Sequence, residues 1–260
     1  MYRIILLLLS MAYAVYAGDL SPREIIKRGQ DAVKLSATES VSTLTIIDQK
    51  GRQRLRKLAQ VSKLYDGGKT EKRLVRFLEP ADVKGTGLLT IDYENKDDDM
   101  WLYMPALRKT RRIVSSEKAK SFMGSEFSYA DMTPPRLGDF TYQRLPDEEV
   151  DGAPCYVVEM TPLNEDIAEE NGFSRRVVWS GKKDFVLRKT VYYDLDGELY
   201  KVLQVKSVKL VDPENSRWQP THMVMENLQN GRRSILRVEK ILLSKTVKDD
   251  YFTTRYLERE

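Results

Sequence analysis

From Ser40 onward, apolar and polar positions alternate with a period of two, the pattern of strands that bury one face. Leu44 and Ile46 alternate with threonines as far as a turn at Asp48-Gln49-Lys50-Gly51-Arg52. A long charged strand runs from Arg52 to Tyr65, and Asp66-Gly67-Gly68 turns the chain into the run Glu71 to Leu78. The second half is a clearer meander, with Phe185, Leu187, Val191 and Tyr193 on one strand and Leu199, Leu203 and Val205 on the next. Met223-Val224-Met225 and the run Ile235 to Ile241 continue it. Asp151-Gly152, Asp196-Gly197 and Asn230-Gly231 stand between such runs, and an Asx-Gly pair marks a two-residue hairpin because both residues accept positive φ. The opposite faces carry Lys, Arg, Glu and Gln, so the sheet is antiparallel with one dry and one wet face. About ten such strands do not stay flat; they curl into a barrel or half-barrel.

One helix precedes the strands. Ser21-Pro22-Arg23-Glu24 offers a capping serine, a proline at the first helical position and a glutamate three residues on. Ile25, Ile26, Gly29, Ala32 and Val33 then recur at helical spacing through about Leu35. The apolar stripe is narrow, so this helix is expected to lie across an apolar surface rather than inside a bundle.

Residues 105–138 break the rhythm. They have no clean period and combine Arg108, Lys109, Arg111 and Arg112 with Phe122, Met123, Phe127, Tyr129 and Met132. Loops beyond about 12–15 residues in a compact domain are functional or disordered, and this one is too rich in aromatics and methionines for disorder.

The first residues set the compartment. Arg3 is followed by an apolar stretch ending at Val15-Tyr16-Ala17, with small or branched groups at −3 and −1. This reads as a secretory signal peptide cleaved after Ala17; the apolar part is short for a membrane span, which needs about 20 residues. Residues 18–260 then form a single domain. With one cysteine, Cys155, there is no internal disulfide, and its setting in Ala153-Pro154-Cys155-Tyr156-Val157-Val158 reads as a buried, inert thiol. Forty-three Lys and Arg against 39 Asp and Glu give a net charge of +4, mildly suited to anionic head groups but no nucleic-acid footprint.

Signatures of catalysis are missing. The sole histidine, His222, sits in the strand pattern Pro220-Thr221-His222-Met223-Val224-Met225. There is no G-x-S-x-G elbow, and one His with one Cys cannot assemble a usual transition-metal site. The acidic run Glu94 to Asp99 lacks the glycine and terminal glutamate of a hand-type calcium loop and reads as a solvated hairpin tip. Gly85-Thr86-Gly87 is followed by a strand and no Lys-Ser/Thr, so it is no phosphate loop. No cofactor is implied.

The succession from Phe77-Leu78-Glu79-Pro80-Ala81-Asp82-Val83-Lys84-Gly85-Thr86-Gly87 through Met100-Trp101-Leu102-Tyr103-Met104-Pro105 to Ser121-Phe122-Met123-Gly124-Ser125-Glu126-Phe127-Ser128-Tyr129-Ala130-Asp131 resembles the LolA-like outer-membrane lipoprotein-sorting family, in its divergent branch. Val150-Asp151-Gly152-Ala153-Pro154-Cys155-Tyr156 and Trp218-Gln219-Pro220-Thr221 extend the likeness over roughly residues 75–221. The resemblance implies an all-β chain with a few helices: a single curved antiparallel sheet forming an unclosed β-barrel, its concave face covered by helix and loop. It also implies a non-catalytic periplasmic carrier of lipid or lipoprotein acyl chains, loaded by an inner-membrane exporter and in transient contact with the membrane surface. An acyl chain costs about 0.8 kcal/mol per methylene to expose to water, so such a carrier needs a dry concavity and a movable cover. Carriers of this family tie the cover shut with a buried arginine, a position this sequence does not identify. Trp101, Tyr103, Met104, Phe122, Met123 and Phe127 are expected at the cavity mouth, although the same side chains would also serve as core beneath a long loop. Arg108, Lys109, Arg111 and Arg112 are either a head-group or partner contact or a solvated charge run. A lipid hydrolase using the same cavity, or an envelope scaffold, are the competing readings.

Overall fold

The computed structural model describes residues 20–259; the export segment read over residues 1–17 lies outside them. Helix α1 (Pro22–Ala32) begins where the capping box places it, with the Glu24 amide donating to the Ser21 hydroxyl at 3.2 Å. Only Ile25, Ile26 and Ala32 are buried, so the helix lies across the sheet on a single stripe.

Thirteen strands follow, three more than the alternation suggested. The first half supplies β1 (Ala37–Ile47), β2 (Gln53–Tyr65), β3 (Thr70–Glu79), β4 (Gly87–Tyr93), β5 (Asp99–Met104) and β6 (Lys109–Arg112). Helix α2 (Ser115–Lys118) lies in the connection to β7 (Phe140–Val150) and β8 (Ala153–Pro162); α3 (Glu165–Asn171) then precedes β9 (Arg175–Gly181). The meander ends with β10 (Leu187–Tyr193), β11 (Leu199–Asp212), β12 (Arg217–Asn227) and β13 (Arg233–Leu243), and α4 (Thr254–Leu257) closes the chain. Part of the irregular stretch is therefore a strand: Lys109 to Arg112 pair with Met104 to Trp101. Four residues are too few for period-two alternation to show.

All thirteen strands form one antiparallel sheet in the order β6-β5-β4-β3-β2-β1-β13-β12-β11-β10-β9-β8-β7. Two meanders thus join through the β1–β13 pair, from Thr38 opposite Leu243 to Ile47 opposite Arg233. The outermost strands, β6 and β7, do not pair with each other, so the barrel stays open. The hairpin glycines Gly152, Gly197 and Gly231 all take positive φ (80°, 85° and 68°), as the Asx-Gly turns require.

The sheet rolls into a trough. β3 and β8 stand eight places apart, about 40 Å on a flat sheet, yet Val75 and Phe77 share one buried cluster with Val158 and Met160. Register shifts at Val41/Ser42, Leu145/Glu148 and Val205/Ser207 bend the strands to allow it. Residues 244–259 cover the outer face of the first meander, where Val247, Phe252 and Leu257 pack on Ala37, Leu74, Leu89 and Tyr103. Arg76 pins this segment by donating to the carbonyls of Tyr256 (3.1 Å), Leu257 (3.0 Å) and Arg259 (2.6 Å).

Gly29 lets α1 approach the trough. A Cβ there would lie 2.9 Å from the backbone oxygen of Phe185, which cannot swing away as a side chain could. Gly29→Ala should therefore destabilise by about 1–2 kcal/mol in urea unfolding, although alanine is the better helix former by about 1 kcal/mol. A stabilised variant would mean that α1 is not held this close.

Candidate ligand cavity

The concave face is not completely filled. A cavity of about 410 Å³ lies between α1, the sheet and the turn Ala130–Met132. Its two walls differ. On the second meander it is mostly apolar, lined by Val178, Leu187, Leu203, Met223 and Met225, with Arg176 and Thr190 among them. On the first it is hydroxylated: Thr38, Ser62, Arg73 and Thr90 form one cross-strand row over β1 to β4, with Thr38 and Ser62 hydrogen-bonded at 2.9 Å.

The cover is residues 113–139, folded over the trough and fastened to both meanders. From the first, Arg56 donates to the Met123 carbonyl and Arg73 Nη1 to the Met132 carbonyl at 2.7 Å. From the second, Arg232 holds the Gly124 carbonyl (2.7 Å) and Glu126 (3.0 Å), and Asn227 and Ser234 also bond Glu126. Lys201 lies 3.7 Å from Asp131. Phe122 packs between Phe77 and Tyr129, tilted against the first and edge-on to the second with centroids 5.8 and 5.7 Å away, which holds the cover on β3. Gln30 of α1 reaches the Pro135 carbonyl at 2.7 Å, so helix and cover are joined as well.

Beside the cavity lies a buried ionic cluster. Arg73 Nη2 pairs with Glu71 at 2.7 Å; Lys118 bridges Glu170 (2.6 Å) and Asp98 (3.8 Å); Thr133 donates to Asp98 at 2.7 Å. Burial pushes the Asp92 carboxyl up to about 7, aided by its hydrogen bond with Asp98 and the charge of Glu71. The acidic run is thus more than a solvated hairpin tip. Asp97 and Asp99 face Arg136 and Arg112 at the surface, while Asp98 turns inward to hold the cover.

The residues singled out in the sequence fall in two places. Phe127 lines the cavity, and Phe122, Met123 and Met104 belong to the core under the cover. Trp101 and Tyr103 point to the outer face, into the cluster formed with the C-terminal segment. Arg108 and Lys109 are exposed, whereas Arg111 and Arg112 pair with Glu117 and Asp99 at the sheet edge. Neither His222 nor Cys155 lines the cavity. Burial, with the charges of Arg237 and Lys206, lowers the His222 pKa. Burial raises that of the Cys155 thiol, which is enclosed among Val157, Val177 and Trp179. The cavity residues that the sequence did not single out include Arg73 and Arg176, whose only signal there is a charge inside a strand run.

Known proteins share this fold. A family model described as "uncharacterized protein" matches residues 69–259. A DUF1329 family protein from Desulfovibrio piger, solved by crystallography, is 30% identical, covers 91% of this chain and 97% of its own, and superimposes with a TM-score of 0.83. The chain belongs to the DUF1329 family. The DUF1329 fold is LolA-like: a proposed outer membrane lipoprotein-sorting protein domain from Vibrio parahaemolyticus is 27% identical over 92% of this chain and 98% of its own, with a TM-score of 0.82. A LolA superfamily protein from Nitrosomonas europaea, 20% identical over 92% and 100% of the two chains, shares the fold at a TM-score of 0.66. No curated protein matches.

Proposed function

We infer that this DUF1329 protein is an exported, non-catalytic carrier that holds acyl chains of a lipid or lipoprotein in its concave cavity and moves them through the periplasm toward the outer membrane. The observation that carries this reading is the 410 Å³ cavity, apolar along the second meander and closed by a cover fastened to both halves of the sheet. The outer-membrane lipoprotein-sorting assignment of the Vibrio relative points the same way. Binding rather than chemistry is supported by a cavity lined by neither the histidine nor the cysteine. No helix among the described residues is long and apolar enough to cross a membrane. An inner-membrane exporter is the donor this scheme calls for.

Native mass spectrometry of the protein isolated from its own envelope fraction tests this. A stoichiometric lipid or acylated peptide is expected, and Met223→Glu, which places a charge on the apolar wall, should release it. A clean apo mass with no uptake of added fluorescent fatty acid would defeat the carrier reading.

A further inference from the structure

The cavity's charges do not balance. Five charged side chains line it: Lys34, Glu71, Arg73, Asp131 and Arg176. Lys34 has Asp31 at 3.6 Å, Glu71 and Arg73 pair with each other, and Asp131 faces Lys201. Arg176 has no ion pair among the described residues, although its neighbour Arg175 pairs with Glu159 at 2.9 Å. Its guanidinium is surrounded instead by soft or neutral groups. The rings of Phe173 and Phe140 lie 5.3 and 5.8 Å away, the Met160 sulfur is 3.5 Å from Nη2, and the Tyr192 hydroxyl lies beside it.

A second observation concerns donors. Nε of Arg176 and Nε of Arg73 are both buried without a hydrogen-bond partner, and both side chains line this one cavity. Buried donors are nearly always satisfied, and each exception calls for an explanation. Buried charges, likewise, are normally paired. The two arginines come from opposite walls but serve the same turn of the cover. Arg73 holds the Met132 carbonyl, and Tyr192 stands between Arg176 and Asp131. The carboxylate nearest Arg176, Asp131, is engaged by Ser128 and Lys201, so Arg176 has no anion of its own at this end of the cavity. The other end offers Leu187, Leu203, Met223 and Met225, and methionine adapts to chains of varied shape. At about 410 Å³ the space is near the lower end of the roughly 300–1,000 Å³ of small-molecule sites, which suits one chain better than a bundle.

We propose that the cavity takes a single-chain anionic amphiphile whose carboxylate or phosphate seats on Arg176 while its chain lies along the apolar wall. This rests on the carrier reading and narrows its cargo. A free charged lipid satisfies Arg176, whereas a lipopeptide whose acylated end is an uncharged amide does not.

The test is displacement of an uncharged fluorescent reporter, N-phenyl-1-naphthylamine, from the delipidated chain by dodecanoate, dodecyl phosphate and dodecanol. At least one of the two anions should displace the reporter at about 10- to 100-fold lower concentration than dodecanol, the advantage of a charge-assisted hydrogen bond in a dry site. The order of the two anions separates a fatty acid from a phosphate lipid as source. Arg176→Met should erase the advantage while retaining reporter binding, and Arg176→Lys should keep part of it. Equal displacement by dodecanol and both anions, or an anion advantage untouched in Arg176→Met, overturns the head-group site and leaves the carrier standing. If neither the reporter nor any of the three amphiphiles binds the wild-type chain, both readings fall. The wild-type comparison decides even if Arg176→Met does not fold.

Discussion

Arg73→Met should unfold about 3–5 kcal/mol more easily than the wild-type chain, and its cover should loosen before the sheet does. Arg73 stands in β3 with Glu71 at 2.7 Å on one side and the Met132 carbonyl at 2.7 Å on the other. Methionine keeps much of the volume, so the loss is not one of packing. It strands the carboxylate of Glu71 in a buried setting that also holds Asp92, and breaking one member out of a buried ion pair typically costs about 3–5 kcal/mol. For a chain of this size that corresponds to a melting point lower by roughly 10 °C. Replacing Glu71 by glutamine in the same chain should recover part of the loss, because the two residues are directly coupled. Amide exchange then locates the effect: residues 122–133 should exchange faster than β8 or β9. Unchanged protection there, with unchanged stability, would show that Arg73 does not hold the cover.

Asp92→Asn should do the opposite, and only at neutral to alkaline pH. The Asp92 carboxyl is pushed up to about 7, first by burial and then by Asp98 and Glu71, against the pull of Arg73. In the unfolded chain the same group titrates near 4. Between these values the folded state binds the extra proton, so this contribution to stability is complete below about pH 4 and is lost as pH rises through about 7. A gap of one pH unit between folded and unfolded titration is equivalent to about 1.4 kcal/mol. The wild-type chain therefore carries a burden of order 2–4 kcal/mol at pH 8, and the asparagine variant does not. Urea midpoints should diverge in favour of the variant at pH 8 and converge near pH 4. A gap that is the same at both values would mean that Asp92 is ionised throughout.

The sequence made the second meander legible because its turns carry Asx-Gly pairs, and α1 because Ser21, Pro22 and Glu24 coincide at its start. The cavity was less so, for a reason visible in β5. Met100, Trp101, Leu102, Tyr103 and Met104 are apolar without a break, since the trough takes Met100 and Leu102 on one face and residues 244–259 cover the other. When both faces of a strand are dry, alternation no longer tells inside from outside. That is how Trp101 and Tyr103 could read as cavity residues. Conversely, Arg73 and Arg176 read as members of a wet face because a charge within a strand does not announce that it points into a cavity or that its partner lies in a distant loop. Strand β6 was hidden by its length, and the turn of Ala130–Met132 by its lack of period.

The cover connects β6 to β7, which are the two lips of the open barrel. It is therefore a strap with one end on each rim rather than a flap hinged at a single side. Its span is set by the distance between the two lips, and its contacts with both meanders tie that distance to the roll of the sheet.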